Sequence, residues 1–517
     1  MAEKKISDIF YFIIKTSFAG ILLLGFFKKN YVFKWLFVNG GTKGYLMPYI
    51  WLFLFYATFS GCLIYYAKRK ACFWGDIRVI AFIALVPRLY VWTLRFYVPT
   101  NDFKNYWLFG QYMFDGRREE VARIVSKAYQ MPKLGGIAVF NGFIAKLFSP
   151  HLIGFQLANI LITTAICILI YIFLRKYSTS AALIAGWIYA IYPSNIITTQ
   201  ITTNHHGATL FFLIAILLFR KALKFHRQKK GYIYAIASGI TLVASNFIHP
   251  SVIVIILSVL CYVAFLVLDA ICRHKKFELT IAGVTATLVI IYITFSTIGL
   301  QMIHQAGLVE DLNEINIMTK VVVGLNQETG GTMRNNPDAR YIASLPPEEQ
   351  RNECIRIISE RISNPTAVIN LMIKKTIAAW FEPDSYFNWY YDDAMQHYSK
   401  LSEQGTLTEV DQDAHLHLVR SKTGLGHLDT IFVHMLYLFS AIALLGSPYL
   451  KGEKDINIMF YLIIGWFAVI AISEMQARYR YPVMPGFTML AALGILQVFH
   501  YGKPLVYGGY KKLKGQP

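Results

Sequence analysis

Asp102 closes the run 78 to 102, RVIAFIALVPRLYVWTLRFYVPTND, which reads as a bilayer-crossing helix ended by Pro99. A carboxylate at that boundary reaches both water and lipid-borne substrates, and partial desolvation raises its pKa toward that of a useful general base. Arg478 and Arg480, in EMQARYRYPVMP (474 to 485), lie between an apolar span and Pro482, where their guanidinium forks could take a lipid phosphate bidentately. An acid and cations at membrane boundaries suit group transfer from a lipid phosphate: a base for the acceptor hydroxyl and positive charge for the leaving phosphate. Each group also has a plainer reading. Asp102 could cap an interfacial helix beginning at Phe103, with Lys104 as a partner on either account, and the arginines could snorkel to headgroups.

Arg88 lies near the middle of its span beside Pro87, where an ionisable side chain is costly and faces a cavity or a partner. His205 and His206 open a later span after TTQITTN, and His249 precedes Pro250 at another boundary. These three histidines with nearby carboxylates are candidate ligands for a divalent metal, yet no HxxxH or HExxH spacing supports a metal site, so no cofactor is assigned.

The elements that must position these residues follow from composition. The chain has 517 residues, 55% of them hydrophobic and 15% charged, with a mean hydropathy of +0.43. That is the make-up of a polytopic membrane protein. Apolar spans occur near 8–27, 47–66, 78–97, 151–173, 180–197, 205–222, 232–248, 250–270, 278–299, 427–446, 456–473 and 482–500, about twelve transmembrane helices in an all-α chain. The net charge of +20 sits largely in short loops such as 219–230 and 273–276 and in the tail 510–515, so it sets topology; no aromatic-basic module accompanies it and no nucleic acid is expected as a partner. Six cysteines form neither a CxxC pair nor a disulfide ladder. The basic, apolar N-terminus lacks a small-residue cleavage site and reads as a retained first helix interrupted by Lys15.

Placing the basic loops around 68–70, 175–176, 219–230, 273–276 and 451–454 in the cytoplasm puts both termini inside, against one exception, the lysine-bearing loop 28–46. Asp102, 300–426 and 474–480 then share the outer face of a multi-pass membrane protein. The expected organisation is an N-terminal transmembrane extension (1–77), a transmembrane module (78–299) with interfacial helices at 103–150, an outer-face soluble domain of mixed or α structure (300–426), and C-terminal helices with a cytoplasmic tail (427–517). The outer domain carries GLNQETGG (324–331), NNPDAR (335–340) and a solvent helix from Pro346 to Asn364. The runs 135–148 and 366–381 read as lying at the surface rather than crossing. Trp107, Trp380 and Trp389 could stack on sugar rings or anchor at the interface.

An arginine in a helix, then P-x-N-D-F-x-x-Y-x-x-x-G (Pro99 to Gly110), a YP dipeptide (Tyr192, Pro193), G-x-N-x-x-x-G (Gly324 to Gly330), Asn364-Pro365 with Lys374, and E-x-x-x-R-Y-R-x-P-x-x-P (Glu474 to Pro485) follow one another in order. Over residues 78 to 500 this set resembles the GT-C glycosyltransferases, in particular the bacterial branch related to protein O-mannosyltransferases and aminoarabinose transferases. The resemblance implies a polyprenyl-phosphate sugar donor, a glycan, lipid or protein acceptor on the outer face of the bacterial plasma membrane, inverting transfer, Asp102 as base, and Arg478 and Arg480 on the donor phosphate. Arg88 or His249 could add to those phosphate contacts. Asn101, Tyr106, Asn204, His205, His206 and Glu474 are expected to bind substrate or support those that do. Many relatives carry a second acid where this chain has TTNHHG, and an R-P pair where it has His249-Pro250. Two alternatives remain: a polysaccharide polymerase or ligase using a lipid-pyrophosphate glycan, and a lipid-linked saccharide flippase, which would need the repeat architecture of a transporter.

Overall fold

Apolar stretches of membrane length fold as helices because a helix satisfies its own backbone groups where no water can. The computed structural model describes the chain except for residues 1–3, 30–45, 95–96, 98, 130–131, 251, 273–277, 311, 313–316, 334–335, 383–384, 407, 448–449, 451–454 and 514–517. Most of the lysine-bearing loop 28–46, the basic loops 273–276 and 451–454, the end of the basic tail and the side chain of Trp389 lie outside what is described.

Among the described residues all regular structure is helical, including the segment expected to be mixed or helical. The chain begins with α1 (Lys4–Lys29), α2 (Leu46–Arg69) and α3 (Phe73–Leu94). Shorter helices follow: α4 (Asn101–Phe114), α5 (Arg118–Arg123) and α6 (Gly135–Leu147). The central bundle contains α7 (Leu152–Arg175), α8 (Thr179–Ile191), the short α9 (Pro193–Ile197), α10 (His205–Lys224), α11 (Lys229–Ile248), α12 (Val252–Cys272) and α13 (Leu279–Gln305). Then come α14 (Ile317–Gly324), α15 (Pro337–Ser344), α16 (Pro347–Ile362), α17 (Pro365–Phe381) and α18 (Ser385–Glu403), and finally α19 (Glu409–Gly446), α20 (Asn457–Ile472) and α21 (Met484–Leu513).

Nine helices among the described residues are long and apolar enough to cross a bilayer. A bent pair, Thr179–Ile191 with Pro193–Gln200, adds a candidate broken by 62°, and Tyr11–Phe26 and Asn457–Ile472 are shorter apolar helices. Each of the twelve expected spans therefore coincides with an apolar helix, and the chain is a multi-pass membrane protein; α6 and α17 are not among the candidate spans. The break falls at Tyr192-Pro193 because proline brings no N–H and pushes its predecessor out of the helical region, here to φ −62° and ψ 117°.

The expected domain boundaries do not fall between helices. Position 77/78 is inside α3, 299/300 inside α13, and 426/427 inside α19, whose 38 residues extend about 57 Å at the helical rise. Nor is the N-terminus an appendage. Within α1, Phe18 meets Phe460 and Phe467 edge-on, Lys15 is buried with its Nζ 3.4 Å from the Leu450 carbonyl, and the helix packs on α12, α17 and α19.

α10 spans about 30 Å by its length and defines two ends of the bundle. At one end Arg220 joins Lys176 and Tyr177 around the carboxylate of Asp455, so the expected inner loops 175–176 and 219–230 meet there. His205 starts the helix at the other end. A second apolar core at this end joins Phe103 and Phe109 of α4 to Ile137, Ile201, Tyr390 and Tyr481, tying α4 and α6 to α18 and the last span.

The sequence motifs of 300–426 lock one another. Asn326 and Arg361 each donate to Asp338 Oδ2 at 2.6 Å, and Asn336 caps α15 through the N–H groups of Asp338 and Ala339. The loop then presses on the 471–475 segment: a Cβ on Gly324 would lie 2.3 Å from the Ser473 carbonyl carbon, and Gly331 accepts the N–H of Met475. Buried Lys375 fills the junction, its Nζ donating to the carbonyls of Gly324 (2.8 Å), Ala471 (2.8 Å) and Ser473 (2.5 Å). Lys374, the lysine of the sequence pattern, is exposed. Burial pulls the Lys375 pKa down to about 8 while Glu474 opposes the shift, so the ammonium keeps its proton at neutral pH. Lys375→Met, which orphans three carbonyls at once, is expected to destabilise the protein by about 3 kcal/mol and lower the midpoint of thermal unfolding in detergent; an unchanged midpoint would remove this junction from the load it is assigned.

Candidate active site

Thr100 is the N-cap of α4, extended at φ −125° and ψ 167°, and its side chain makes no cap bond. Asn101 follows at φ +46°, a left-handed conformation that asparagine tolerates better than most residues. Asp102 therefore sits in the first turn, where the helix dipole favours a carboxylate. It is not the cap of a helix starting at Phe103, as one reading of the sequence had it. Lys104 is exposed, and the cation that reaches Asp102 comes from the far end of the chain: Arg478 Nη2 lies 3.3 Å from Asp102 Oδ2 across 376 positions of sequence.

Arg478 belongs to the 3-10 segment Ala477–Val483. Its side chain is 12% exposed and that of Asp102 is 37% exposed, so the pair lies at the protein surface with the acid the more open member. The guanidinium lies 5.9 Å from the ring centre of Phe103 and 5.6 Å from that of Tyr479. Tyr106 is buried one helical turn below Asp102, and burial reinforced by that carboxylate raises its phenol pKa. Asn141 on α6 holds this turn by donating to the Tyr106 carbonyl at 2.7 Å.

His205 and His249 converge on the same place. Their ring centres are 4.3 Å apart in a T-shaped contact, and His205 lies parallel to Tyr479 at 6.5 Å. Burial, Lys320 and Arg478 together pull His249 down to about 3, so it is a neutral imidazole at working pH. Lys320, on α14, thus brings a charge from the 300–426 segment to the site. Nothing in the sequence singled it out, although a lone lysine in IMTKVVVG was a visible signal.

Other expected site residues take different places. Arg88 is fully buried, its Nε donating to Thr163 Oγ1 (3.0 Å) and its Nη1 to the carbonyls of Ala84 and Ala190 (both 2.8 Å). Arg480 is equally enclosed, its Nη1 reaching the carbonyls of Ala379, Trp380 and Glu382 at 2.8–3.1 Å. Both were expected on a donor phosphate. Here both are buried, and Nη1 of each donates to a carbonyl at a helix end, that of Ala190 in α8 and that of Trp380 in α17. The three histidines do not share one face either: His206 Nε2 donates to the Thr198 carbonyl at 2.9 Å and its Nδ1 lies 2.7 Å from the Tyr481 hydroxyl.

Asn204 is buried as the N-cap of α10 without a side-chain cap bond. Glu474 is buried and accepts from Gln476 Nε2 at 2.5 Å. Trp380 is enclosed against Phe467, ring centres 3.7 Å apart, so packing occupies its ring, whereas Trp107 is half-buried with its Nε1 donating to the Pro150 carbonyl. Among the described residues no three His, Cys, Asp or Glu side chains converge to hold a metal ion.

The low pKa of His249 carries a pH consequence. Between about 3 and 6.5 the unfolded chain binds a proton that the folded site excludes, so stability falls as pH drops through that window. This one imidazole contributes up to about 1.4 kcal/mol per pH unit. His249→Gln is expected to flatten the acid limb of a stability–pH curve; an unchanged slope would show that His249 does not carry it.

No protein-family model matches the chain, and no curated protein matches it. Among solved structures it is similar to the archaeal oligosaccharyltransferase AglB from Archaeoglobus fulgidus in complex with an inhibitory peptide and a dolichol-phosphate, with a TM-score of 0.40 and 14% identity over 87% of this chain. The Archaeoglobus fulgidus oligosaccharyltransferase in the apo form gives a TM-score of 0.40 and 15% identity over the same share of this chain. The chain spans 52% of the length of either structure.

Proposed function

We propose that this chain is an inverting membrane glycosyltransferase of the GT-C type. It takes a sugar from a polyprenyl-phosphate donor and passes it to an acceptor hydroxyl on the outer face of a bacterial plasma membrane. The observation that carries the reading is the pairing of Asp102 with Arg478, an acid and a cation from opposite ends of the chain meeting at a partly open edge of the helical bundle. The basic residues at the Asp455 end favour the orientation in which this edge faces outward.

In this mechanism the acceptor oxygen attacks the anomeric carbon as the bond from that carbon to the phosphate oxygen breaks. Asp102 takes the hydroxyl proton, and Arg478 meets the charge left on the lipid phosphate. His205 and the neutral imidazole of His249 line the site beside Arg478, while Lys320 supplies a second cation from the outer segment. Attack opposite the leaving phosphate inverts the anomeric centre. The sugar and the acceptor remain to be identified by assay.

The test is transfer of radiolabelled sugar from a panel of polyprenyl-phosphate sugars by purified protein, with a lipid-pyrophosphate glycan as a parallel donor and with EDTA as a further arm. Asp102→Asn should lower the rate about 10²- to 10⁴-fold with donor binding retained. Arg478→Ala should weaken donor binding about tenfold or more, the usual consequence of losing a charge-assisted contact. A fully active Asp102→Asn removes the base, and transfer only from the pyrophosphate donor replaces the reading with that of a polymerase or ligase. Loss of transfer in EDTA would add a divalent cation to the site.

A further inference from the structure

A break in a buried helix frees backbone groups that lipid cannot satisfy, at a cost of about 2–7 kcal/mol for each group left unpaired. At Tyr192-Pro193 those groups are met by side chains from four other helices. On the C-terminal end of α8, Arg88 of α3 donates to the Ala190 carbonyl. On the N-terminal end of α9, Asp429 of α19 accepts from the Ser194 N–H (3.0 Å) and hydroxyl (2.6 Å). Asn159 of α7 donates to the carbonyls of Thr199 and Ile201, and His206 of α10 to that of Thr198.

The signs of the two charges fit the two helix ends. A cation meets the partially negative C-terminus of α8 and an anion meets the partially positive N-terminus of α9. Both side chains are fully buried, and among the described residues Arg88 makes no ion pair. A guanidinium in the middle of a bundle that answers carbonyls rather than a carboxylate is there for the backbone it holds.

The segment it holds touches both halves of the proposed active site. Asn195 Oδ1 accepts from the Tyr481 hydroxyl at 2.7 Å, three residues from Arg478, and Thr202 Oγ1 donates to the Phe103 carbonyl at 2.5 Å, next to Asp102. Residues 195 to 202 therefore act as a spacer between the acid and the cation. We infer that Arg88 and Asp429 are positioning residues that clamp the two ends of the helix break and thereby set the separation of Asp102 from Arg478. The clamp is read from contacts alone; its link to catalysis rests on the proposed function.

Hydrogen exchange on the full chain in lipid nanodiscs tests the clamp without reference to activity. Asp429→Asn should raise exchange about 10- to 100-fold in peptides covering 193–204 and 97–110, the loss expected for a charge-assisted bond, with α12 and α13 unchanged. Ser194→Ala, which removes only the hydroxyl contact, should give a smaller rise in the same peptides and serves if Asp429→Asn does not fold. Arg88→Lys should loosen the same region from its other side. Unchanged protection at 193–204, or a rise spread evenly over all helices, overturns the inference. Sugar transfer by the same variants is a separate arm: if the wild type transfers from no donor, the glycosyltransferase reading fails while the exchange result still decides the clamp.

Discussion

Every helix that stops inside or beside a bilayer leaves carbonyls that must find donors within the protein, and this constraint governs where the chain's buried cations go. Arg88 answers the end of α8, Arg480 the end of α17, and Lys375 the end of α20 together with the Gly324 carbonyl. In each case a positive charge sits at the negative end of a helix dipole and spends its protons on oxygens, which offsets the desolvation that burying the charge costs. Asp429 does the reverse at the start of α9. The polar interior of this protein is thus largely a set of helix terminations.

The site follows from those terminations. Arg480 and Lys375 pin the two flanks of the 473–483 segment, one to α17 and one to the loop after α14, and Arg478 is held between them. The broken helix carries the chain across to α4 and delivers Thr202 to the turn that bears Asp102. The apolar cluster of Phe103, Phe109, Ile137, Ile201, Tyr390 and Tyr481 closes the arrangement at the membrane edge. Asp102 and Arg478 then meet as open members of a framework in which Arg88, Arg480, Lys375 and Asp429 are enclosed. Openness separates the residue that could meet a lipid phosphate from its two enclosed counterparts.

The architecture was largely readable in advance because bilayer length and hydropathy are properties of contiguous residues: all twelve expected spans are apolar helices, and 135–148 and 366–381 lie outside the candidate spans. The positions where the sequence was divided fall inside helices for a related reason. Composition changes at 426/427, but α19 runs straight from a polar stretch into a span, since helical hydrogen bonds are indifferent to the solvent around them. Asp102 and Arg478 were both legible as boundary residues. Arg480 looked equivalent to Arg478 because residue type and spacing do not report burial, and mid-span Arg88 was legible as needing a cavity or a partner but not as to which.

What the sequence determined by itself is the class of the protein, the approximate place of each span and the small set of charged residues available at the membrane edge, because each of these depends on local composition against a bilayer of known thickness. Only the tertiary structure decided which of those charges stay partly open and which finish a helix. That choice depends on partners far away in sequence: Arg478 against Asp102, Asp429 against Ser194, and Lys375 against Gly324 and Ser473. A carbonyl left over at one helix end attracts whichever donor the packing brings near, and no local pattern encodes that encounter.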